Sequence, residues 1–342
     1  MRPTMTDVAK KAGVSIGTVS LVLNDKPGIS SEVRSHVQKS AEELGYRLPQ
    51  RRASASLMTS VTVVHYANRG EGTKAPRTTG VLVNYIDSIQ EALQEQGVNW
   101  TLLSEYQEGD RENLGFQLLD NKQLSTDGLI LLGLANRDST LLQRALAEDV
   151  PVVVLSRNWP DMPVSSVGQD HRKATEMAMN YLIDLGHRQI GFVASSADQQ
   201  FDWFATRLRT YREAMAEIDR AEGDLVVIAD SIGQAVETLV AQRPDVTAIF
   251  SLHDEAAVEA MIALHALGLR IPEEVSVIGL DDSSMPPDHL PPLTTIGFPH
   301  REVGRLAAEL LLAQIEADTL LYSKIFVRSH LVDRDSCAPP RA

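Results

Sequence analysis

The chain has 342 residues, 43% of them hydrophobic, which is enough for two or three cored domains and too many for a disordered chain. Its single cysteine, Cys337, rules out a disulfide framework or a zinc ribbon, and no apolar run approaches the roughly 18 residues needed to span a bilayer. The net charge of −14 opposes nucleic-acid binding as a whole, yet residues 1–58 carry +4 and the remainder −18. A basic head on an acidic body is the division expected if only the head meets phosphate. The first 30 residues hold no apolar signal core, so a cytoplasmic chain is expected.

Met5 to Tyr46 contains three short helical patterns. Thr6 is placed to cap the first, with Asp7 in its opening turn and Val8, Ala9 and Ala12 on one apolar face. Gly13 ends that helix, Val14 plugs the turn, and Ser15 caps a second helix running to Leu23. Val19, Val22 and Leu23 face inward from it; Ile16, Gly17, Thr18, Ser20 and Leu21 look outward. After a loop from Asn24 to Gly28, Ser30 caps a third helix striped by Val33, Val37, Ala41 and Leu44. Two helices joined by a tight Gly-bearing turn and braced by a third describe a helix-turn-helix, whose second helix reads the major groove. Gly13 to Gly17 also matches the G-x-S-x-G pattern of serine hydrolases. That motif needs a strand before the serine; here a helix precedes it and a cap is required, so the cap is preferred.

The run AGVSIGTVSLVLN followed by ISSEVRSHVQKSAEELGY resembles the head of the lactose/galactose repressor (LacI/GalR) family of bacterial transcription regulators. The family's T-V-S-x-V-L-N stands here as Thr18 to Asn24, with Leu21 where a polar base reader is common. An apolar side chain can touch a thymine methyl but cannot bond guanine. The resemblance implies DNA contacts from Thr6, Ser15, Ile16, Gly17, Thr18, Ser20, Leu21, Asn24, Ser30, Arg34 and Tyr46. Residues 47–60 are the expected hinge linker after a head of residues 1–46. In the family this segment forms a short helix on DNA and wedges a leucine into the minor groove. Leu57 takes the wedge role by that resemblance, and Arg51 and Arg52 the backbone or groove contacts. A merely flexible tether is the rival reading.

From Val61, short apolar runs alternate with amphipathic stretches. VTVVHY, WTLLS, GLILLG and PVVVL read as buried strands, with helices near 82–96, 111–123 and 139–148. A second series follows: a helix over 171–185, QIGFVA, a helix near 204–218, DLVVI, a helix to Gln242, TAIFS, a helix to Leu267 and VSVIG. Two such series mean two doubly wound parallel-sheet lobes. Leu185 to Phe192 (LGHRQIGF), Gly268 to Asp282, PLTTI from Pro292 and LVDRDS from Leu331 also resemble the family. The expected fold is therefore an all-α helix-turn-helix head on an α/β periplasmic-binding-protein-like body of residues 61–336, with a tail over 337–342. Its first lobe is expected at about 61–165 and 297–323, its second at about 166–296 and 324–336.

Ligands of open α/β sheets sit at the carboxyl ends of the strands. The candidates there are Asn68, Arg69, Ser156, Arg157, Trp159, Phe201, Trp203, His253, Asp254 and Asp281, with Phe298 added. Arg207, four residues before Tyr211, fits the family's R-x-x-G-[YFW] with Thr210 in place of Gly. The resemblance implies that Arg207 and Asp281 hold the effector. A carboxylate and a guanidinium can satisfy vicinal hydroxyls while an aromatic face covers a sugar ring. Structural alternatives stand beside these roles. Asp281 or Asp282 could cap a turn, Trp203 and Phe201 could be core, Trp159 a lid or subunit contact, and His253 a structural histidine.

No dinucleotide, P-loop or zinc-protease motif is present, and Asp288-His289 lies in a Pro-rich loop without metal-ligand spacing. No enzyme activity, cofactor or metal is expected. The resemblance implies double-stranded DNA with a pseudo-palindromic operator, a small-molecule effector (a sugar first) and a homodimer as partners, with no membrane. The chain ends without the heptad helix of the family's tetramers, which favours the dimer. A stand-alone solute-binding protein would suit the body alone but not the head.

Overall fold

The computed structural model describes residues 5–23, 29–44, 46, 59–68, 80–107, 119–120, 123–124, 126–133, 137–157, 159, 161–218, 225–317 and 321–341. It divides into two compact units, Met1–Leu57 and Met58–Ala342.

In the first unit, α1 (Met5–Ala12), α2 (Ile16–Leu23) and α3 (Ser31–Leu44) close over Val8, Ala9, Ala12, Val19, Val22, Val37 and Ala41. Gly13 takes φ +65°, the left-handed conformation that ends a helix at little cost to a residue without Cβ. The Val14 N–H then donates to Ala9 O at 3.1 Å, and the Val14 side chain packs on the core. Ser15 Oγ accepts from the Thr18 N–H at 3.0 Å, as a cap must. Ser30 does the same for α3 through the Val33 N–H at 3.4 Å. Thr6 differs from expectation: α1 already begins at Met5, so Thr6 lies inside its first turn.

The second unit contains two six-stranded sheets. The first lobe has β1 (Ser60–Asn68), α4 (Gly80–Glu95), β2 (Asn99–Gln107), the short antiparallel pair β3 (Leu119–Asp120) and β4 (Gln123–Leu124), β5 (Gly128–Gly133), α5 (Thr140–Ala147), β6 (Val152–Leu155) and β7 (Ser165–Gln169). The second has α6 (His171–Asp184), β8 (Ile190–Ser195), α7 (Asp202–Glu217), β9 (Val226–Ala229), α8 (Ile232–Gln242), β10 (Ala248–Ser251), α9 (Asp254–Ala266), β11 (Ser276–Asp281) and β12 (Thr294–Gly297). The chain then returns through α10 (His300–Glu316) and β13 (Lys324–Val327) to the first lobe, and ends with β14 (His330–Val332) in the second.

The sheet orders are β13-β7-β6-β5-β1-β2 and β14-β12-β11-β10-β8-β9, parallel throughout except where β14 runs against β12. In each lobe the first strand sits between the second and third of its series. Crossovers on either side of that reversal in strand order therefore leave on opposite faces: α4 and α10 cover one face of the first sheet and α5 the other. In the second lobe α6 and α7 cover one face, α8 and α9 the other. This winding opens a crevice at the carboxyl ends of β1/β5 and of β8/β10.

Three expectations are corrected. β7 and β13 belong to the first sheet, so the lobe boundaries fall at Gln169–Asp170, after Gly297, and between Val327 and His330, not at 165, 297 and 323. SSVGQ carries little apolar signal, but its backbone pairs on both sides and every residue is buried. Ser60, placed in the linker, opens β1; the helix expected over 111–123 gives way at its end to the antiparallel β3–β4 pair. Residues 111–118 lie outside the described residues. Strands β12, β13 and β14 and helix α10 were not anticipated.

Candidate DNA-reading helix and effector cleft

On the head, Ile16 and Leu21 of α2 are 48% and 42% exposed, although both are apolar. Gly17 is also exposed, and Thr18 Oγ1 lies 2.9 Å from Ser15 Oγ, within the cap. Two residues expected at DNA also brace the head. Arg34 Nη1 donates to Val22 O at 3.4 Å, tying α3 to the end of α2. Tyr46 is half-buried against the head core, and its burial raises the phenol pKa. The Ser30 hydroxyl is engaged as a cap. Asn24, Arg51, Arg52, Leu57 and the side chain of Ser20 lie outside the described residues.

In the body, Arg207 of α7 is the centre of the cleft and 2% exposed. Its Nη1 donates to Leu252 O; its Nη2 reaches Gln169 Oε1 at 3.1 Å, His171 Nδ1 at 3.2 Å and Asp281 Oδ1 at 3.5 Å. The first lobe supplies Gln169, and the second supplies Leu252 and Asp281, so one guanidinium is held by both lobes. Burial, reinforced by the Arg207 charge, holds His171 well below its ordinary pKa, so it is neutral and accepts. Among the described residues, Arg207 Nε and Gln169 Nε2 are buried and have no hydrogen-bond partner, two donors available to a ligand.

Trp203, one turn earlier on α7, stacks on Phe201 (centroids 4.8 Å, planes 12° apart), and the Arg207 guanidinium lies 4.6 Å from its ring centroid. His253 meets its edge at 6.0 Å. His253 also caps α9, its Nδ1 accepting from the Ala256 N–H at 3.2 Å, which leaves Nε2 to donate to Asp198 Oδ1 at 3.3 Å. Burial would lower the His253 pKa, but the Asp198 carboxylate outweighs it and raises it. His253 is therefore both a structural cap and a cleft residue. Asp254 beside it is fully buried, accepts from Thr295 Oγ1 at 2.6 Å and the Ser283 N–H at 2.7 Å, and is pushed up to about 7 by burial and the nearby Asp281. Asp281 and Asp282 both have positive φ, +109° and +54°, strained backbone at the strand end. Asp282 turns away to pair with Arg334 at 2.6 Å.

The remaining first-lobe candidates also make protein contacts at the cleft. Arg157 donates to Gly133 O at 3.2 and 3.1 Å and pairs with Asp202 of α7 at 3.1 Å. Trp159 is 4% exposed, packed in the first-lobe core, with Nε1 donating to Asp202 Oδ2 at 3.2 Å. Phe298, expected to touch effector, is core as well: 6% exposed, packed between α4 and α10 with the His300 ring at 4.1 Å. Ser156, at φ +54°, lies 2.9 Å from the Tyr85 hydroxyl. His300 in turn reaches Asp281 O, linking α10 to the second lobe. Asn68 ends β1, and Arg69 falls outside the described residues.

Gln169, His171, Asp198, Asp202, Tyr85 and His300 are site residues the sequence reading missed. Asp198 follows a recognised strand and was within reach of the strand-end rule. Gln169 ends β7 and His171 follows it, and SSVGQ carries too little apolar signal to read as a strand. Tyr85 and His300 sit inside helices, where that rule is silent.

A basic trihelical reader joined to a two-lobed ligand-binding body defines a ligand-responsive DNA-binding protein. Residues 4–48 match the model described as bacterial regulatory proteins, lacI family, and residues 179–337 match the periplasmic binding protein-like domain. The HTH-type transcriptional regulator CelR of Thermobifida fusca is 32% identical, over 98% of each chain. The solved CelR–cellobiose complex matches at 31% identity and TM-score 0.69, covering 98% of this chain and 100% of that one. The lac repressor dimer bound to operator shares the fold at 23% identity and TM-score 0.66, covering 99% of this chain and 100% of that one. The chain belongs to the LacI family, whose members are DNA-binding transcription regulators and not enzymes. Among the described residues, no helix is long and apolar enough to cross a membrane.

Proposed function

We propose that this chain is a cytoplasmic repressor that binds a pseudo-palindromic operator as a homodimer, and that a sugar held between the lobes sets its operator affinity. The observation that carries this reading is Arg207, buried and bonded to groups of both lobes. A ligand engaging its free Nε, together with Gln169 Nε2 and Asp281, has different contacts in open and closed lobes. That difference is what a population shift requires. CelR, captured with cellobiose, supports a saccharide as effector. Ile16, Gly17, Thr18, Ser20 and Leu21 are assigned the base edges, with Asn24 beside them; Arg51, Arg52 and Leu57 retain the linker roles implied by the family.

The test selects inverted-repeat DNA from a random pool with full-length protein, then titrates the selected duplex at several salt concentrations with and without sugars. Salt-sensitive binding that shifts at least fivefold with a sugar is expected. Binding to no inverted repeat would refute the regulator, and operator binding indifferent to every sugar would refute the effector class.

A further inference from the structure

We propose that the pocket beyond the His253–Asp198 pair is an outer subsite of the effector cleft, so that the effector is a saccharide at least two rings long that carries no negative charge. This rests on the sugar-effector reading above and extends it to size and charge.

The pocket, about 220 Å3, lies between the carboxyl ends of β8, β9 and β10 and is lined by Ser195, Asp198, Asp230, Ser231, His253 and Glu255, among others. It shares His253 and Asp198 with the cleft, and those two residues follow β10 and β8, the strands flanking the second lobe's switch point. Asp281, His253, Asp198 and Asp230 thus form one row along the same sheet edge, at the ends of β11, β10, β8 and β9. Three strand spacings make that row about 14 Å long. That is wider than one hexopyranose and its hydrogen bonds can bridge. The lining is mostly hydroxyls and carboxylates, acceptors for sugar hydroxyls, with the Trp203–Phe201 stack at the inner end.

The charge follows from pairing. Arg157 faces Asp202 at 3.1 Å, Arg207 faces Asp281 at 3.5 Å and His253 faces Asp198 at 3.3 Å. Each of these three carboxylates already has its own partner, so an anionic ligand must break a pair or remain uncompensated in a buried site. An anionic sugar also meets Asp230 and Glu255 in the outer pocket.

The experiment is calorimetric titration of full-length protein with mono-, di- and trisaccharides of glucose, galactose, mannose and xylose, plus the 6-phosphate, uronate and amino forms of the monosaccharides. The tightest ligand should be a neutral di- or trisaccharide, at least tenfold better than its monosaccharide. Glu255→Trp, whose indole would fill the pocket, should remove most of that advantage. A monosaccharide or anionic sugar as tightest ligand would overturn this inference and leave the sugar-effector reading standing. Binding of no sugar at all would overturn both. If Glu255→Trp does not fold, the wild-type ranking decides alone.

Discussion

The two lobes repeat one winding but use its crevice differently. At the carboxyl ends of β8 and β10, the second lobe places Asp198 and His253 in a bonded pair facing a cavity. At the equivalent ends of β1 and β5 in the first lobe, Gly133 O is taken up by Arg157, whose other end grips Asp202 across the cleft. Trp159 joins the same carboxylate, and Tyr85 and Ser156 bond to each other nearby. The second lobe thus carries most of the polar groups facing the cleft, joined by Gln169 of the first, while other first-lobe groups tie the lobes together. Topology says where a crevice opens, while the side chains decide whether it is filled by a ligand or by the protein.

The sharpest way to break this division is Arg207→Ala. It strands a partly buried Asp281 and the donor-acceptor set around it, and should cost about 3 kcal/mol of stability. Any sugar-dependent change in operator binding should vanish with it, and Arg207→Lys should not restore that change because an ammonium lacks the planar fork. A stable Arg207→Ala protein that still responds to sugar would assign the cleft's chemistry elsewhere.

Next in size is Gly133→Ala, which probes the closing lobe. Gly133 has φ +73°, and a Cβ there would lie 2.3 Å from Tyr66 O, so roughly 2–3 kcal/mol should be lost in denaturant unfolding. An unchanged midpoint would mean this strand end is less constrained than its geometry implies.

Ser15→Ala should cost about 1 kcal/mol, the usual value of an N-cap, and weaken operator binding without touching sugar affinity. Loss of an esterase activity in this variant would instead revive the hydrolase reading.

The smallest effect is one of pH. Folded Asp254 keeps its proton to about 7, whereas the unfolded chain releases it near 4. Between those values the folded state binds more protons, so this residue's contribution to stability falls as pH rises. Asp254→Asn cannot titrate, so its melting temperature relative to wild type should climb from pH 5 to pH 8. A constant difference would show that Asp254 is charged throughout.

Much of this was legible in the sequence because the signals are local. Gly13, Ser15 and the stripe Val33, Val37, Ala41 and Leu44 fix the head within a few turns of chain. The apolar runs fixed eight body strands in the same way. β7 escaped because SSVGQ is buried through its backbone pairing rather than apolar side chains, and with it went Gln169 and His171. Arg207 and Asp281 were reached through the family's motifs, and the structure brings their side chains within 3.5 Å. Arg157, Trp159 and Phe298 carry protein contacts that strand-end position could not foresee. Strand-end position identifies residues near a cleft, but only three-dimensional partners show that Asp202, Gly133 and the core claim them first.

The most direct test of coupling between cleft and head is reciprocity. Operator affinity is measured by fluorescence anisotropy with and without saturating sugar, and sugar affinity by calorimetry with and without saturating operator. The two ratios should be equal, at fivefold or more, because linkage makes the coupling symmetric. Sugar binding with both ratios at one would contradict the account: the body would then bind its ligand without informing the DNA reader.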